Sequence, residues 1–531
     1  MRICCHPHCV SMTAFFAVTL TAVSAGFAQF PAQKVVPDPR PKVERLREGR
    51  ALFVRDWKKQ GKLNKTGDGL GPVYNAASCV ACHSQQGIGG AGPDEHNVDL
   101  LSLATRKPTL RPRFSTKYIQ TAQKRVHPGF SASRTSVVLH KFGPAKSEKG
   151  KPLYATFRDG ILGESTPRMK KQRERALANL GEFNAPAPKG IAARQYFLTR
   201  ERRYRRVNRI PVEFTQRNTP ALFGAGIIDA IPDSAILAAA DKQKRIRGIS
   251  GRVPQTSTGA IGRFGWRGQT ATLHDFVLGA CANELGLEVP GQAQPLNPLT
   301  QKPGQIPASV PFPSSGAAQK TLDLTDRQCR SLTEFVVSLP APMRARKVTL
   351  EVSRQVRDGE RVFSAIGCAT CHLPSLGPAK GVYSDLLLHD MGPKLADPLS
   401  AIPEITERTA PGFSGSFGYY GGEALPQIAK ITTNIRQEWR TPPLWGVADS
   451  APYLHDGRAA TLEKAILLHG GEGAAAAKRY RRLKGARKDR LVLFLASLVA
   501  PGSPTQPTLP ARGGFGASGG FFSAPVDEPK R

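Results

Sequence analysis

The sequence predicts a mainly α-helical protein with two helical domains that arose by internal duplication. Three observations support this prediction: the motif Cys-x-x-Cys-His occurs twice, the segments around it repeat in the same order, and alternating strand patterns are scarce. The motif, at Cys79–His83 and Cys368–His372, is the attachment signature of c-type haem. We therefore expect two cytochrome-c-like haem domains, each carrying one covalently bound haem c.

A zinc site or a thiol-redox site is the competing interpretation of a Cys-x-x-Cys motif. In both copies, however, a histidine follows the second cysteine directly, as haem attachment requires. The cysteines would close two thioethers on the haem, and the histidine would bind its iron. The expected haem-binding residues are Cys79, Cys82, His83, Cys368, Cys371 and His372.

The chain has 531 residues, enough for two or more domains, and a formal net charge of +34. Lysine and arginine are spread along the chain and no nucleic-acid motif is present, so we expect no nucleic-acid partner. An acidic electron-carrier protein or an anionic polymer of the cell envelope suits this surface equally well. A solvated basic surface without a specific partner is the third alternative.

The N-terminus has the composition of a cleaved signal peptide over residues 1–28. A short basic start precedes an apolar run from Thr13 to Ala25, and small residues come before Gln29. The apolar run is too short to span a membrane comfortably. We therefore expect a periplasmic or otherwise exported protein without a transmembrane segment. In that compartment Cys281 and Cys329 could form a disulfide, or both could be buried free thiols.

Four segments of the first half recur in the second half without a change of order, which predicts duplicated domains over residues 43–340 and 350–499. A Pro/Gly-rich tail, residues 500–531, is expected to be disordered. The matched segments are Arg47–Phe53 with Arg357–Phe363, Arg217–Gly224 with Arg440–Gly446, Trp266–Leu273 with His455–Leu462, and Leu332–Leu339 with Leu491–Leu498.

The first domain is the longer one, so it must contain insertions. One of them holds the strongly basic run Arg168–Arg209, which we interpret as helical and solvated. Proline and glutamine between Pro290 and Pro313 indicate a loop, and Leu339–Met343 marks the boundary between the domains.

The sixth ligand of each iron decides what the haem can do, because a closed site transfers electrons and an open one can bind peroxide or dioxygen. In the second domain, Thr461 is a plausible N-cap and Gly470-Gly471 a stop. His469 shares the apolar face of the helix between them, either as a ligand or as an ordinary core histidine. His389 and Met391 are closer to the motif and are expected to wall the pocket.

In the first domain the gapless overlay of the repeats places Ala280 where His469 lies in the second. Alanine cannot bind iron, so this haem either recruits another histidine or stays open. His96, thirteen residues after His83, is the nearest candidate ligand, and its alternative is an ordinary loop histidine. The asymmetry predicts one closed haem and one openable haem. Weaker candidate ligands of the first iron are His127, His140 and His274.

The motifs at Tyr383–Gly392, Glu438–Gly446 and Leu454–Arg458 resemble those of the bacterial di-haem cytochrome c peroxidase superfamily. This superfamily includes the maturation enzyme of methylamine dehydrogenase and the rubber oxygenases. Within it, the chain is most similar to the branch of di-haem oxidoreductases also called thiol oxidoreductases, from about Val43 to Leu498.

The resemblance implies a role for several residues outside the attachment motifs. In the peroxidases a His-Asp-Gly motif precedes the distal ligand by fourteen residues, and His455 and His469 reproduce that spacing. His469 would then replace the usual methionine ligand, with His455 near a haem propionate. Trp266 resembles the tryptophan that lies between the two haems, although Arg267 stands where the family has aspartate.

The resemblance also bears on the chemistry of the first haem. Phe276 occupies the spacing of the family's catalytic glutamine, which departs from the peroxidase pattern. Glu284 resembles the family's catalytic glutamate and could move a proton between the two peroxide oxygens. The alternatives are a core aromatic for Trp266 and an exposed helix-end carboxylate for Glu284. Ser450–Tyr453 partly matches a calcium-binding stretch, which implies Ca²⁺ held by backbone carbonyls.

These observations predict an exported di-haem oxidoreductase with peroxidase-like activity. A small electron-donor protein, a cytochrome c or a cupredoxin with an acidic surface, would reduce the second haem. Electrons would pass Trp266 to the first haem, where hydrogen peroxide is reduced to water. The alternatives are a di-haem enzyme that activates dioxygen or oxidises another substrate, and a bis-ligated electron carrier without catalysis.

Overall fold

Helices dominate the fold. The computed structural model describes residues 38–58, 67–103, 127, 136–143, 153–162, 205–207, 210–256, 258–292, 294–295, 298–299, 322–345, 349–397 and 435–503. The helices are α1 Lys42–Val54, α2 Cys79–Cys82, α3 Leu153–Leu162, α4 Ala225–Asp229, α5 Asp233–Gln243, α6 Leu273–Leu285, α7 Asp326–Ser338, α8 Leu350–Ala365, α9 Leu462–Leu468, α10 Ala474–Arg482 and α11 Gly485–Ala496.

The strands are short. They are β1 Val98–Leu103, β2 Ser136–Val138, β3 Arg205–Val207, β4 Ile210–Arg217, β5 Met343–Arg344, β6 Ser375–Leu376, β7 Ala379–Lys380, β8 Leu388–Asp390, β9 Glu438–Arg440 and β10 Leu498–Val499. The expectation of a helix-rich fold is confirmed. Residues up to Arg40 form a separate unit, in which the Arg40 guanidinium pairs with the Asp38 carboxylate at 2.7 Å.

Two pairs of helices cross at glycine residues, α1 with α7 and α8 with α11. A Cβ atom at Gly49 would lie 2.0 Å from the backbone oxygen of Ser331, and one at Gly359 would lie 1.9 Å from that of Arg490. Any side chain at these positions would force the helices apart. Glycine therefore recurs in the repeated segments because each crossing requires it.

Near each crossing, a phenylalanine ring lies close to the histidine of a Cys-x-x-Cys-His motif. The ring of Phe53, near the end of α1, lies 6.4 Å from that of His83, and Phe363 on α8 lies 6.2 Å from His372. Helix N-caps recur as well: the hydroxyl of Thr272 accepts a bond from Asp275 N, and that of Thr461 from Lys464 N. Matched positions of the two repeats thus have matched local geometry.

An antiparallel sheet of four strands, in the order β2-β1-β4-β3, belongs to the longer first half. The sequence did not reveal this sheet, because β1 reads Val-Asp-Leu-Leu-Ser-Leu and its apolar residues do not alternate strictly with polar ones. The basic run Arg168–Arg209, which we interpreted as helical, includes strand β3, and residues 168–204 and 208–209 of it lie outside the described part of the chain.

The described residues form two hydrophobic cores. One is built from the first half and extends to Leu387 and Trp445, and the other lies wholly in the second half, around Phe363 and Phe494. Strand β5, just after the expected domain boundary, pairs with β10 at the end of the second half. The predicted signal peptide, the center of the Pro290–Pro313 loop and residues 504–531 of the tail lie outside the described residues.

Two further expectations concern cysteines and membrane segments. Cys281 on α6 and Cys329 on α7 are both buried free thiols, so the second of our two alternatives describes the structure. Among the described helices, none combines the length and the apolar character needed to cross a membrane.

Candidate functional site

The second motif begins after Gly367, whose positive φ of 93° turns the chain out of α8 and into the Cys368–Thr370 turn. The half-buried His372 ring places Nδ1 2.9 Å from the carbonyl oxygen of Tyr383. That contact requires a proton on Nδ1, so Nε2 keeps its lone pair for a metal. Burial lowers the pKa of His372 to about 4, so the imidazole is neutral at neutral pH.

A second imidazole faces His372. The ring centres of His372 and His469 are 6.5 Å apart, and Nδ1 of His469 lies 2.8 Å from the carbonyl oxygen of Ala465. A ring nitrogen binds a metal at about 2 Å and lies about 1 Å from its ring centre, so axial imidazoles have centres roughly 6 Å apart. The pair therefore has the separation that one haem iron with two histidine ligands requires.

The first motif follows Ser78, which caps the short helix α2 by accepting a bond from Ala81 N at 3.2 Å. Nδ1 of His83 lies 3.2 Å from the carbonyl oxygen of Gly90, so Nε2 again keeps its lone pair. Burial lowers the pKa of His83 to about 4. The attachment histidines of both motifs thus have the same arrangement, with Nδ1 bonded to a backbone carbonyl and Nε2 available to bind a metal.

His96 lies beside an attachment cysteine. Its Nδ1 is 3.7 Å from the sulfur of Cys82, and in the second half Nδ1 of His389 is also 3.7 Å from the sulfur of Cys371. His96 therefore has the position of His389, rather than the position across from the attachment histidine that His469 has. Burial lowers the pKa of His96, with a further contribution from the nearby Lys141 ammonium.

His389 is the center of a buried polar cluster in the second half. Its Nε2 lies 2.9 Å from Asp385 Oδ2 and its Nδ1 lies 2.6 Å from Glu472 Oε2. Both nitrogens are thus occupied by carboxylates, which makes His389 a wall residue rather than an iron ligand. Although burial alone would lower the pKa of His389, its hydrogen bonds to the Asp385 and Glu472 carboxylates raise this pKa well above its usual value. Sequence reasoning missed both carboxylates.

A cavity of about 310 Å³ joins the two halves. The Trp266 ring lines it, and its Nε1 donates a 2.9 Å hydrogen bond to the carbonyl oxygen of Asn218. The Trp266 carbonyl oxygen accepts from the backbone N–H of Arg440, also at 2.9 Å. Trp266 is therefore fixed by one contact to each half. Other lining residues are Phe276, Cys368, His372, Met391, Arg440 and His469.

Arg440 supplies a half-buried cation to this cavity. Its guanidinium donates to the carbonyl oxygens of Gly265 at 2.8 Å and Thr441 at 3.4 Å, and forms no ion pair with any described carboxylate. Desolvation lowers the pKa of Arg440 to about 10, against an opposing effect of the Asp385 charge. A guanidinium at a cavity without an ion-pair partner fits a ligand that carries an anionic group. Haem, with its propionates, is such a ligand.

His455 is buried and stacks on Trp439, with ring centres 3.6 Å apart. Burial lowers the pKa of His455 to about 3, so its ring is neutral. The Trp439 ring also contacts a cation, because the Arg267 guanidinium lies 4.1 Å from its centre. His455 is therefore locked by packing, which is consistent with a fixed position in the haem surroundings.

Arg267, which departs from the family pattern, pairs with a buried carboxylate. Its guanidinium lies 2.8 Å from Asp397 Oδ2, and that of Arg217 lies 2.5 Å from the same atom. Burial alone would raise the pKa of Asp397, but the two guanidinium groups lower it below its usual range. Asp397 carried no motif in the sequence, so only the structure identifies it.

Glu284 lies at the end of α6 and is half-buried, with its Oε2 accepting a 2.6 Å hydrogen bond from Asn75 Nδ2. Its negative charge helps to raise the pKa of the Cys82 thiol, after the larger effect of burial. Glu284 is therefore close to the first motif and is not the exposed carboxylate of the alternative interpretation.

The weaker histidine candidates all have other contacts. Nε2 of His140 lies 2.8 Å from the carbonyl oxygen of Asn283, and Nδ1 of His274 lies 3.0 Å from the hydroxyl of Thr333. The ring of His127 packs against Phe157 at 6.1 Å.

The loop Ser450–Tyr453, which we associated with calcium, receives two amide side chains from the first half, and a third amide donates to Asp456 just after it. Gln85 Nε2 donates to the Ala451 carbonyl oxygen at 2.8 Å, Asn218 Nδ2 to that of Pro452, and Asn97 Nδ2 to that of Asp456 at 3.5 Å. The amide oxygens of Gln85, Asn97 and Asn218 are buried and have no hydrogen-bond partner among the described residues. Unpartnered carbonyl oxygens beside backbone carbonyls are suitable ligands for a hard cation.

Comparison with known proteins gives a family match. The family described as "Di-haem oxidoreductase, putative peroxidase" matches residues 200–402 and 422–498. The match includes Trp266, Glu284, the second motif and His469, and it begins after the first motif. No curated protein matches the chain.

Two solved structures are similar to parts of the chain. Hydrazine synthase from Kuenenia stuttgartiensis is 19% identical with a TM-score of 0.23, over 34% of this chain and 57% of that one. A MauG-like protein associated with microbial copper homeostasis is 19% identical with a TM-score of 0.21, over 32% of this chain and 52% of that one. The chain spans just over half the length of each. Since the family match covers just over half of the sequence, the chain belongs to the di-haem oxidoreductase family.

Proposed function

We propose that the protein is an exported di-haem c-type oxidoreductase that reduces hydrogen peroxide with electrons from a small redox protein. The pair of facing imidazoles, His372 and His469, carries the proposal, because it gives the second half a closed, electron-transferring site. In the repeat, Ala280 stands at the place of His469, so the first half keeps an openable site.

The cofactor-binding residues follow from the site geometry. Cys79 and Cys82 would attach the first haem with His83 as its axial ligand, and Cys368 and Cys371 the second, with His372 and His469 as ligands. When bound, haem supplies one-electron chemistry at iron and, where a coordination position is open, a binding site for peroxide. Arg440 would pair with a propionate, and His455 would pack in the same surroundings.

Trp266 is proposed as the electron relay between the two sites. It lines the cavity that includes His372 and His469, and its hydrogen bonds to Asn218 and Arg440 hold the ring at the junction of the halves. Fixed side chains favour electron transfer because little reorganisation accompanies the step.

At the first site, peroxide reduction consumes two electrons and two protons and forms two water molecules. Two molecules of reduced donor supply the electrons, one each. We propose that the Glu284 carboxylate accepts a proton from one peroxide oxygen and returns it to the leaving oxygen. Asn75, which donates to Glu284 Oε2, would hold the carboxylate in place. The second proton comes from solvent.

His96 is proposed to line the first haem pocket, since its contact with Cys82 matches that of His389 with Cys371. Binding of the first iron by His96 would require movement of its loop, and such a movement would convert the site between a closed and an openable state.

The loop at Ser450–Tyr453 is proposed to bind Ca²⁺. Support comes from the unpartnered amide oxygens of Gln85, Asn97 and Asn218, whose amide nitrogens donate to backbone carbonyls of residues 451, 456 and 452. The cation would tie the first half to the second beside the haem cavity.

The paired geometries around Gly49 and Gly359 support an origin by internal duplication, with insertions in the first domain. The N-terminal composition supports export to the periplasm.

A second function, oxidation of another substrate or activation of dioxygen, is favoured by Phe276 at the position of the peroxidase glutamine. The non-catalytic alternative is an electron carrier with two closed haems. Reactivity of the half-reduced protein with peroxide separates these functions.

The proposal is tested by haem count and EPR spectra of the wild type, His469→Ala and His96→Ala. We expect His469→Ala to convert the low-spin second haem into a high-spin species and to leave the first haem unchanged. His96→Ala should alter the first haem alone. An unchanged low-spin signal in His469→Ala would refute the ligand assignment, and two low-spin haems inert to peroxide would leave only electron carriage.

A further inference from the structure

The surface beside the second motif carries a cluster of positive charge. Helix α10 and the start of α11 hold eight basic residues between 478 and 490, and Asp489 is the one acidic residue in that stretch. Six of the basic side chains are exposed and form no ion pair with any described residue; we call them the basic patch. They are Lys478, Arg479, Arg481, Arg482, Lys484 and Arg487.

The basic patch directly adjoins the second haem-attachment motif. Nη1 of Arg479 donates a 3.0 Å hydrogen bond to the carbonyl oxygen of Ile366, two residues before Cys368. A Cβ atom at Gly367 would lie only 2.9 Å from the same nitrogen. The positive charge is therefore close to the attachment cysteine, rather than on a remote part of the surface.

Small uncharged residues lie next to the basic patch, where the chain continues from the ligand His469. Ala474 and Ala475 begin α10 and are exposed, and Leu467, two residues before His469, is 37% exposed. A small apolar center with a charged rim is typical of weak interfaces between proteins that meet briefly. Short side chains at the center let a partner's metal come close to the second haem.

We propose that this surface is the docking site of the electron donor, and that the donor is a small redox protein with an acidic face. The inference rests on the proposed function and extends it to a partner of stated charge. In each encounter one electron leaves the donor, which is oxidised, and reduces the second haem site, with no transfer of atoms. The charges speed the encounter by steering, because complementary potentials raise association rates by factors of ten to a thousand.

The test uses the full-length holoprotein and a matched pair of probes. One probe is a reduced soluble c-type cytochrome with a basic surface, and the other is the same cytochrome after succinylation of its lysines, which makes it acidic. Stopped-flow absorbance measures the second-order rate of second-haem reduction at low and high salt. We expect the succinylated probe to react faster at low salt and to lose this advantage at high salt.

A charge-reversal variant, Lys478→Glu/Arg481→Glu/Arg482→Glu/Arg487→Glu, should react about tenfold more slowly with the succinylated probe at low salt. It should react faster than wild type with the unmodified basic probe. The control variant Lys42→Glu/Arg47→Glu/Arg50→Glu/Arg327→Glu makes the same change in net charge on exposed positions of α1 and α7. At physiological ionic strength that control should keep the wild-type rates to within about twofold, since charges more than about 8 Å from the docking surface are screened there.

Equal slowing in both variants would indicate an effect of overall charge and overturn the proposal. Unchanged donor kinetics together with weaker retention of the patch variant on dextran sulfate would assign the surface to an anionic polymer instead. Reduction by ascorbate distinguishes a failure of the docking proposal from a failure of the proposed function. If ascorbate reduces a six-coordinate second haem in every variant, the haem site is intact and only the docking surface is in question.

Discussion

The two haem-attachment regions share their local geometry and differ in what faces the attachment histidine. Both histidines hold Nδ1 against a backbone carbonyl, at 3.2 Å for His83 and 2.9 Å for His372. In the second half, α9 has seven residues and ends at His469, whose ring faces His372. In the first half, the matching helix α6 has 13 residues and places Ala280 in its interior.

On the proposed function, this difference separates electron uptake from peroxide chemistry. Helix α9 stops at Leu468 and its C-cap residue His469 faces His372, whereas helix α6 continues past Ala280, whose side chain is a methyl group. The surroundings differ too, with the basic patch beside the second motif and the carboxylate of Glu284 beside the first. On the proposed function, the basic patch would serve electron uptake and Glu284 would serve proton transfer.

The largest effect is expected when a histidine is placed in the first half at the position that matches His469. Ala280→His should produce a second low-spin EPR signal and lower the rate of the half-reduced protein with peroxide by about a hundredfold. The physical reason is that a nitrogen ligand would occupy the position that peroxide requires. The measurement is EPR combined with stopped-flow absorbance.

The control is Ala280→Leu, which adds comparable bulk without a nitrogen atom. It should not create a low-spin signal, even if it slows peroxide binding. A first haem that stays high-spin and fully reactive in Ala280→His would show that the repeats do not overlay at this position.

Much of the site could be predicted from local sequence signals. The motifs identified both candidate haem-attachment sites, and the Thr461 cap with the Gly470-Gly471 stop identified the helix that is followed by His469. These signals work because thioether attachment and helix ends depend on residues close together in the chain. The overlay of the repeats also singled out Ala280.

Other features depend on contacts between distant segments, and they carried no local signal. Asp397 pairs with Arg217, 180 residues away, and the Arg440 guanidinium donates to the carbonyl oxygen of Gly265 in the other half. Strand β1 had no prediction, because its apolar residues do not alternate strictly with polar ones. His96 was chosen by its distance along the chain from His83, which does not determine on which side of a haem a side chain lies.

The similarity of the two helix crossings can be tested with alanine. Gly49→Ala and Gly359→Ala should each lower the free energy of unfolding by about 1–3 kcal/mol, because a Cβ atom would overlap a backbone oxygen of the facing helix. Chemical denaturation, followed at the Soret band and by far-UV circular dichroism, measures the effect.

Exposed positions on the same helices provide the controls, and Arg50→Ala and Arg354→Ala should change stability by less than about 0.5 kcal/mol. Gly49→Ala should disturb the first haem and Gly359→Ala the second. A large effect at only one glycine would contradict the structural equivalence of the two crossings.

Removal of calcium should affect the contact between the halves. Chelation with EGTA should lower the unfolding free energy, by about 2.7 kcal/mol if the cation was present at a hundredfold excess over its dissociation constant. Added Ca²⁺ should restore it and Mg²⁺ should not, since Mg²⁺ dehydrates reluctantly. Differential scanning calorimetry measures this. In Asn97→Leu the response to EGTA should disappear; an equal response in that variant would rule out the Asn97 oxygen as a ligand.

The smallest expected effect concerns the charge of Arg440. Arg440→Leu removes a cation beside the cavity. The oxidised form of the neighbouring haem should then be favoured. The reduction potential of that haem should fall by about 60 mV, which is a tenfold change in the one-electron equilibrium. Spectroelectrochemistry resolves the two haems by their bands. Arg440→Lys keeps the charge and should restore most of the shift, although it loses the planar hydrogen-bonding geometry. A fall of both potentials by the same amount would mean that Arg440 acts through the general field of the protein rather than through one propionate, and that the two sites share this cation.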